Sequence, residues 1–332
     1  MDIQNLYSQV SEVIDNNKDF IIITHANSDG DSLGSQEALY QLLLLLKKNV
    51  VSVCESELPY QYGFLPDYNE IKSDLEWIEG KNKDYVCFCL DCADEYRMNI
   101  DFKKIKESSK LIINIDHHHN NTNFGNINIV DTQKSATAEI LYDLISTFYK
   151  NLMNKDIALG IYIGILTDTG NFQYSNTNYR VHEVVSELLK FDLDLGKIHK
   201  SIYESEPLER FKLMQLVLQR IGYVESLGLI YSYVLNRDFQ KLNLPLSAQD
   251  GLINLLRSAE KVRVAALIKQ IEKGKFKISI RTSDNNINLF DVASRFGGGG
   301  HKKAAGYADK GSLRTVINNL KKAVERGIED EK

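Results

Sequence analysis

Short apolar runs broken by polar turns organise the first half of the chain. Phe20-Ile21-Ile22-Ile23-Thr24, Val50-Val51-Ser52-Val53-Cys54, Tyr85-Val86-Cys87-Phe88-Cys89-Leu90 and Leu111-Ile112-Ile113-Asn114-Ile115 are β-branched and aromatic segments. Their length predicts strands rather than helices. Continuous apolarity, without alternation, predicts that both faces of each strand are covered, as in a parallel sheet flanked by helices. Helices are predicted over 32–48, 136–149, 156–166 and 180–189, the first apolar nearly all round at its centre. Strands alternating with helices in this way specify an α/β domain.

The texture changes after Ser205-Glu206-Pro207, where a proline in the first turn predicts a helix start. That helix, running to about Gly222, reads as a connector. Strands are predicted at 229–235 and 262–268. Lys275-Phe276-Lys277-Ile278-Ser279-Ile280-Arg281 alternates strictly. It predicts a half-buried strand whose polar face carries Lys275, Lys277, Ser279 and Arg281. A helix over 289–296, a glycine loop over 297–301 and an amphipathic helix over 312–325 complete the pattern.

Composition narrows the class. The chain has 332 residues, 43% of them hydrophobic and 26% charged, so one large or two medium domains with full cores are expected. No apolar run approaches the roughly 20 residues of a membrane-spanning helix. The N-terminus has no basic region followed by an apolar one, so no signal peptide and a cytoplasmic location are expected. Three of the four cysteines crowd one strand and its exit. That fits a reducing compartment and strand packing better than a disulfide framework. Cys89 and Cys92 have the spacing of half a zinc site, but no second pair completes it.

Charge is unevenly placed. The net charge is −5, yet residues 257–310 hold twelve Lys/Arg against five Asp/Glu. An acidic body with a basic C-terminal patch suits a small anionic substrate. It does not suit long, non-specific duplex binding.

Chemistry concentrates where strands end. Of seven histidines, four fall in His25-Ala26-Asn27-Ser28-Asp29-Gly30-Asp31 and Asp116-His117-His118-His119, each directly after a predicted strand. Sites in open α/β sheets form outside the carboxyl ends of strands. Two aspartates two residues apart can address neighbouring cations, and an added imidazole favours a transition metal such as manganese over magnesium. The plainer reading of the first cluster is a polar helix cap, but a cap needs one short polar residue, not three ligands. Asp91, at a third strand end, and Asp168, in Thr-Asp-Thr-Gly, are ordinary turn residues alone and gain weight from the same topology. Gly297 to His301 reads either as a linker or as a loop whose backbone approaches a phosphate, helped by His301, Lys302 and Lys303.

These motifs, in order, resemble the DHH phosphoesterase superfamily. The resemblance rests on Asp29-Gly30-Asp31-Ser32-Leu33-Gly34-Ser35, Leu90-Asp91-Cys92, Asp116-His117-His118 and Thr167-Asp168-Thr169-Gly170. Gly298-Gly299-Gly300-His301-Lys302-Lys303-Ala304-Ala305-Gly306 resembles the signature of the associated DHHA1 domain. The match runs from about residue 20 to 310, and the layout is most similar to NrnA-type oligoribonucleases. It implies a parallel-sheet catalytic domain with flanking helices (1–195), a linker helix (196–224) and a smaller α/β substrate-binding domain with a mixed sheet (225–332).

The resemblance also implies roles. His25 and Asp29 would hold one Mn²⁺, and Asp31, His117 and Asp168 a second. Asp91 would bridge the two, and His118 would act at the substrate phosphate. Mg²⁺ or Co²⁺ are alternative ions. Gly298, Gly299, Gly300 and His301 of the DHHA1-like signature would bind substrate, joined, on charge and position rather than motif, by Arg257, Arg281 and Lys302. A homodimer is compatible with the pattern. Serine at position 28 replaces the proline often seen in the family, and His119 is left without a task.

The implied activity is two-metal hydrolysis of oligonucleotides of about two to five residues, such as pApA or pGpG, to mononucleotides. Hydrolysis of 3′-phosphoadenosine 5′-phosphate (pAp) to AMP is expected beside it. A short cleft between the domains would set that length preference. Cyclic dinucleotides, pyrophosphate, or longer single strands as in the RecJ nucleases are alternative substrates for the same metals. The non-enzymatic alternative is a nucleotide-binding sensor, against which the full set of six ligands argues.

Overall fold

The computed structural model describes residues 3–75, 85–249 and 251–329. The chain divides into two compact units, Met1–Ser205 and Glu206–Lys332.

The first unit runs α1 (Ile3–Asn16), β1 (Asp19–Thr24), α2 (Gly30–Leu45), β2 (Asn49–Val53), β3 (Tyr85–Leu90), α3 (Phe102–Ser108), β4 (Ser109–Asp116) and β5 (Ile127–Val130). It continues through α4 (Thr137–Phe148), α5 (Lys155–Asp168), α6 (Tyr179–Leu188) and α7 (Leu195–Tyr203). Its five strands are parallel, in the order β2-β1-β3-β4-β5. This is an α/β fold with a doubly wound sheet.

The unbroken apolar runs follow from burial on both faces. Phe20, Ile22, Val86 and Phe88 pack against a core that includes Leu39, Leu141 and Ile161 from the helices. Their neighbours Ile21, Ile23, Cys87 and Cys89 face the opposite way, toward Met98, Phe102 and Ile105. All four cysteines are free and buried. Cys87, Cys89 and Cys92 serve that second cluster.

The second unit runs α8 (Leu208–Gln219), β6 (Gly222–Val224), β7 (Leu229–Val234), α9 (Asn236–Leu242), α10 (Leu252–Arg257), β8 (Val264–Glu272) and β9 (Lys275–Thr282). It ends with α11 (Leu289–Ser294), β10 (Gly299–His301), β11 (Ala304–Lys310) and α12 (Leu313–Glu329). Its mixed sheet has the order β10-β11-β9-β8-β7-β6, with β7 and β8 parallel and the other pairs antiparallel. Strand β9 alternates as expected: Phe276, Ile278, Ile280 and Thr282 are buried, while Lys275 and Lys277 are exposed and Ser279 and Arg281 half-buried.

Two expectations need correction. The helix read to start at Ser205-Glu206-Pro207 is present as α8, but the linker range 196–224 also takes in most of α7, and the two units divide at Ser205. The glycine loop is not a loop throughout, since Gly299–His301 pairs with Ala304–Gly306 as a strand. Two of its glycines answer to that pairing. A Cβ on Gly298 would strike the Gly306 carbonyl oxygen and Tyr307. Gly300 has φ +139°, and a Cβ there would meet Ala304 and Ala305.

Among the described residues, no helix is long and apolar enough to cross a membrane.

Candidate metal centre

The strand order reverses between β1 and β3, so a crevice opens at their carboxyl ends. His25 follows β1, Asp91 follows β3, and Asp116 ends β4 with His117 and His118 just beyond. Helix α5 delivers Asp168 at its last position. Asp29 is the N-cap of α2: its Oδ1 accepts from Ser32 N at 3.1 Å, while its own N–H donates to Ser32 Oγ at 2.9 Å. Capping and site membership therefore coexist in one residue.

Two groups of donors form around Asp91. On one side, His25 Nε2 lies 3.3 Å from Asp91 Oδ2 and 3.7 Å from Asp29 Oδ1. On the other, His117 Nε2 lies 3.1 Å from Asp168 Oδ2, 3.7 Å from Asp91 Oδ1 and 3.9 Å from Asp31 Oδ2. His25–Asp29–Asp91 and Asp31–His117–Asp168 each offer three ligand atoms within 4.8 Å of one another. His118 Nδ1 is 3.5 Å from Asp91 Oδ1 and 2.7 Å from Asp116 Oδ1. The seven residues proposed from sequence for metal and phosphate thus converge. His119 is exposed beside them.

The electrostatics call for a cation. Asp31 and Asp91 are buried. Among the described residues, every ion pair made by Asp29, Asp31, Asp91 and Asp168 is with a histidine. Two carboxylates about 5 Å apart repel by roughly 3 kcal/mol at an effective dielectric of 20. Accordingly, burial and then the charges of Asp91 and Asp168 push the Asp31 carboxyl well above its usual range. Burial also raises Asp91, against the pull of His25. Burial opposes charge on the imidazoles, but the carboxylates win. Asp29 and Asp91 raise His25 to about 11, and Asp168, Asp31 and Asp91 raise His117 to about 10. Hard carboxylate oxygens mixed with imidazole nitrogens are the donor set of a divalent metal ion.

The surrounding groups aim the donors. His25 Nδ1 lies 2.9 Å from the Ala26 carbonyl oxygen, which leaves Nε2 for the site. The start of α4 points at Asp31: Thr137 N–H donates to Oδ2 at 2.6 Å and Ala138 N–H to Oδ1 at 2.9 Å. Thr137 Oγ1 donates to Asp91 Oδ1 at 3.1 Å. A helix N-terminus favours the anionic carboxylate. Sequence reasoning missed Thr137 and assigned Asp116 no task. The available signal for Thr137 was its place at the first turn of a predicted helix.

Close helix packing brings Asp168 toward Asp31. A Cβ on Gly160 would meet Ala38 N at 2.9 Å, and one on Gly164 would sit 2.6 Å from Asp31 Oδ1. Bare glycines therefore let α5 lie against α2.

The proposed substrate residues lie in the second unit. A groove of about 510 Å³ there is lined by Lys277, Ser279, Arg281, Gly299, Gly300 and Gly306, among others. Burial and then the positive charge of Arg257 hold Arg281 below its usual pKa. Among the described residues, neither arginine has an ion-pair partner, so an anion would relieve them. Gly298, His301 and Lys302 are not among the groove-lining residues. His301 and Lys302 are exposed at the β10–β11 hairpin.

Comparison with known proteins adds independent observations. Residues 19–165 match the model of the DHH family, N-terminal domain, and residues 227–329 match the DHHA1 domain. A bifunctional oligoribonuclease and PAP phosphatase NrnA from Thermus thermophilus is 32% identical over 93% of this chain and 87% of its own length. The protein of the same description from Bacillus subtilis is 28% identical over 86% of this chain and 88% of its own. Among solved structures, an exopolyphosphatase-related protein from Bacteroides fragilis shares the fold with a TM-score of 0.88. It has 24% identity, covering 99% of this chain and 98% of that one.

Proposed function

Because this chain belongs to the DHH–DHHA1 phosphoesterases of NrnA type, we propose that it hydrolyses short oligonucleotides such as pApA or pGpG to mononucleotides. By the same chemistry it removes the 3′-phosphate of pAp. The observation that carries this reading is the pair of donor groups on either side of Asp91, whose carboxylates, among the described residues, make no ion pair with a lysine or arginine.

His25 and Asp29 would hold one Mn²⁺, Asp31, His117 and Asp168 the other, and Asp91 both. Bound there, the ions supply Lewis acidity toward the phosphoryl oxygens and an activated water at neutral pH. The rest is the work of this chain's own groups. The α4 N–H groups keep Asp31 aimed into the site. Asp116 engages His118 at Nδ1, which leaves Nε2 to carry a proton toward the departing ribose oxygen. In the second unit, Arg281, Arg257 and Lys277 supply positive charge for nucleotide phosphates. The small residues of the groove, Gly299, Gly300 and Gly306, leave room for a flat base.

The test is a substrate panel with added Mn²⁺: pAp, pApA, pGpG, pyrophosphate and a 20-mer. Turnover should be highest on pAp and the dinucleotides. Asp31→Ala should abolish it, with a loss of at least about 10³-fold in kcat/KM. Wild-type turnover by that variant, or a clear preference for pyrophosphate or the 20-mer, would refute the reading.

A further inference from the structure

We infer that Asn121 is a positioning residue for hydrolysis: it sets the Asp116–His118 pair and braces the turn that carries Asp91. The inference rests on the role given above to His118.

Asn121 lies just past the histidines, in the turn that leaves β4. Its amide nitrogen Nδ2 is surrounded by acceptors: Asp116 Oδ2 at 2.5 Å, Asn114 Oδ1 at 2.8 Å and the Cys92 carbonyl at 3.1 Å. Its backbone N–H donates to the His118 carbonyl at 3.3 Å, and its Oδ1 accepts from Asn123 N at 2.7 Å. Asp116 is wholly buried. With Oδ2 taken by Asn121, Oδ1 is the oxygen presented to His118 Nδ1 at 2.7 Å. Without the amide, Asp116 would keep only the bond to His118, and the carboxylate plane that fixes the imidazole would be less tightly held.

The same amide reaches the second ligand turn. Asp91 has φ +59°, a left-handed conformation uncommon for a non-glycine residue, so neighbouring contacts must hold it. The next carbonyl, that of Cys92, accepts from both Asn121 and Asn114. Asn114 is wholly buried in β4 and also donates to the Cys89 carbonyl at 3.2 Å. Thr122 N–H adds a bond to the Ala93 carbonyl at 2.9 Å. Asn121 thus joins the turn after β3 to the turn after β4 through the two N–H donors of its amide, shared among three acceptors. An aspartate there would face three acceptors with a fourth.

The leaving group separates positioning from simple bracing. In pApA the departing group is a ribose oxygen that needs a proton. In p-nitrophenyl 5′-thymidylate it is a phenolate that leaves without one. Asn121→Ala and the shape-conserving Asn121→Asp should each lose about 10–100-fold in kcat on pApA. Both should keep kcat on the nitrophenyl ester within a few-fold. Because the amide also braces the Asp91 turn, Mn²⁺ affinity by titration calorimetry should fall by no more than a few-fold, and the unfolding temperature should drop more for Asn121→Asp than for Asn121→Ala. His118→Ala, run in parallel, must show the same split. If it shows the split and the Asn121 variants slow both esters equally, Asn121 is a brace only and the inference is wrong. If His118→Ala slows both esters equally, the leaving-group role of His118 falls first, and the inference falls with it.

Discussion

Protons and divalent cations compete for the same imidazole nitrogens in this site. The carboxylates raise His25 to about 11 and His117 to about 10, so both rings hold a proton at neutral pH unless a cation displaces it. Cation binding must therefore release protons, and apparent affinity must fall as pH falls. Calorimetry of Mn²⁺ binding at pH 7.5 in buffers of differing ionisation enthalpy should show net proton release. Equal heats in all buffers would contradict this. Asp116 belongs to the same scale. Burial works against its charge, but His118 and Asn121 outweigh burial and hold its carboxyl below the usual range. Its place in the site comes from a hydrogen bond to a residue two positions on. That relation is visible only once the strand has ended and the chain has turned.

At the scale of elements, the centre depends on how closely α5 approaches α2 and α4. Gly164 lies where any side chain would meet Asp31 Oδ1 and Ala138 Cβ. Gly164→Ala should overpack this contact, cost about 1–3 kcal/mol of stability and weaken Mn²⁺ binding. Thermal unfolding and calorimetry check both; unchanged Mn²⁺ affinity would show that α5 moves freely enough to absorb a methyl group. Elements with strong patterns were legible, β1 and β3 as unbroken apolar runs and β9 by strict alternation, whereas the 14-residue helix α1 was missed. β5 has four residues, too few to show a period. β10 was read as loop because glycines carry no strand signal of their own. Their conformation is imposed by β11, whose Ala304–Gly306 they pair with.

At the scale of the molecule, the donors sit in one unit and the basic groove in the other, and each unit has its own core. A cation that binds only the folded site stabilises by mass action, about 2.7 kcal/mol at a hundred times Kd. Amide hydrogen exchange should therefore slow in β1, β3, β4 and α4 when Mn²⁺ is added, and change little across residues 206–329. Equal protection in both units would show that the ion acts on the whole chain. The sequence by itself determined the α/β class and pointed to a divalent-metal site with six candidate ligands. Apolar periodicity follows from which faces are buried, and scarce ligand types collected at strand ends are hard to explain as packing. Only the tertiary structure decided that Asp91 lies between two donor groups, that α4 amides and Asn121 aim the carboxylates, and that the glycine segment is a strand. Those are relations of a few ångströms between segments tens of residues apart. Side-chain identity says what a residue can bond to; the sheet order and helix packing say what stands within reach.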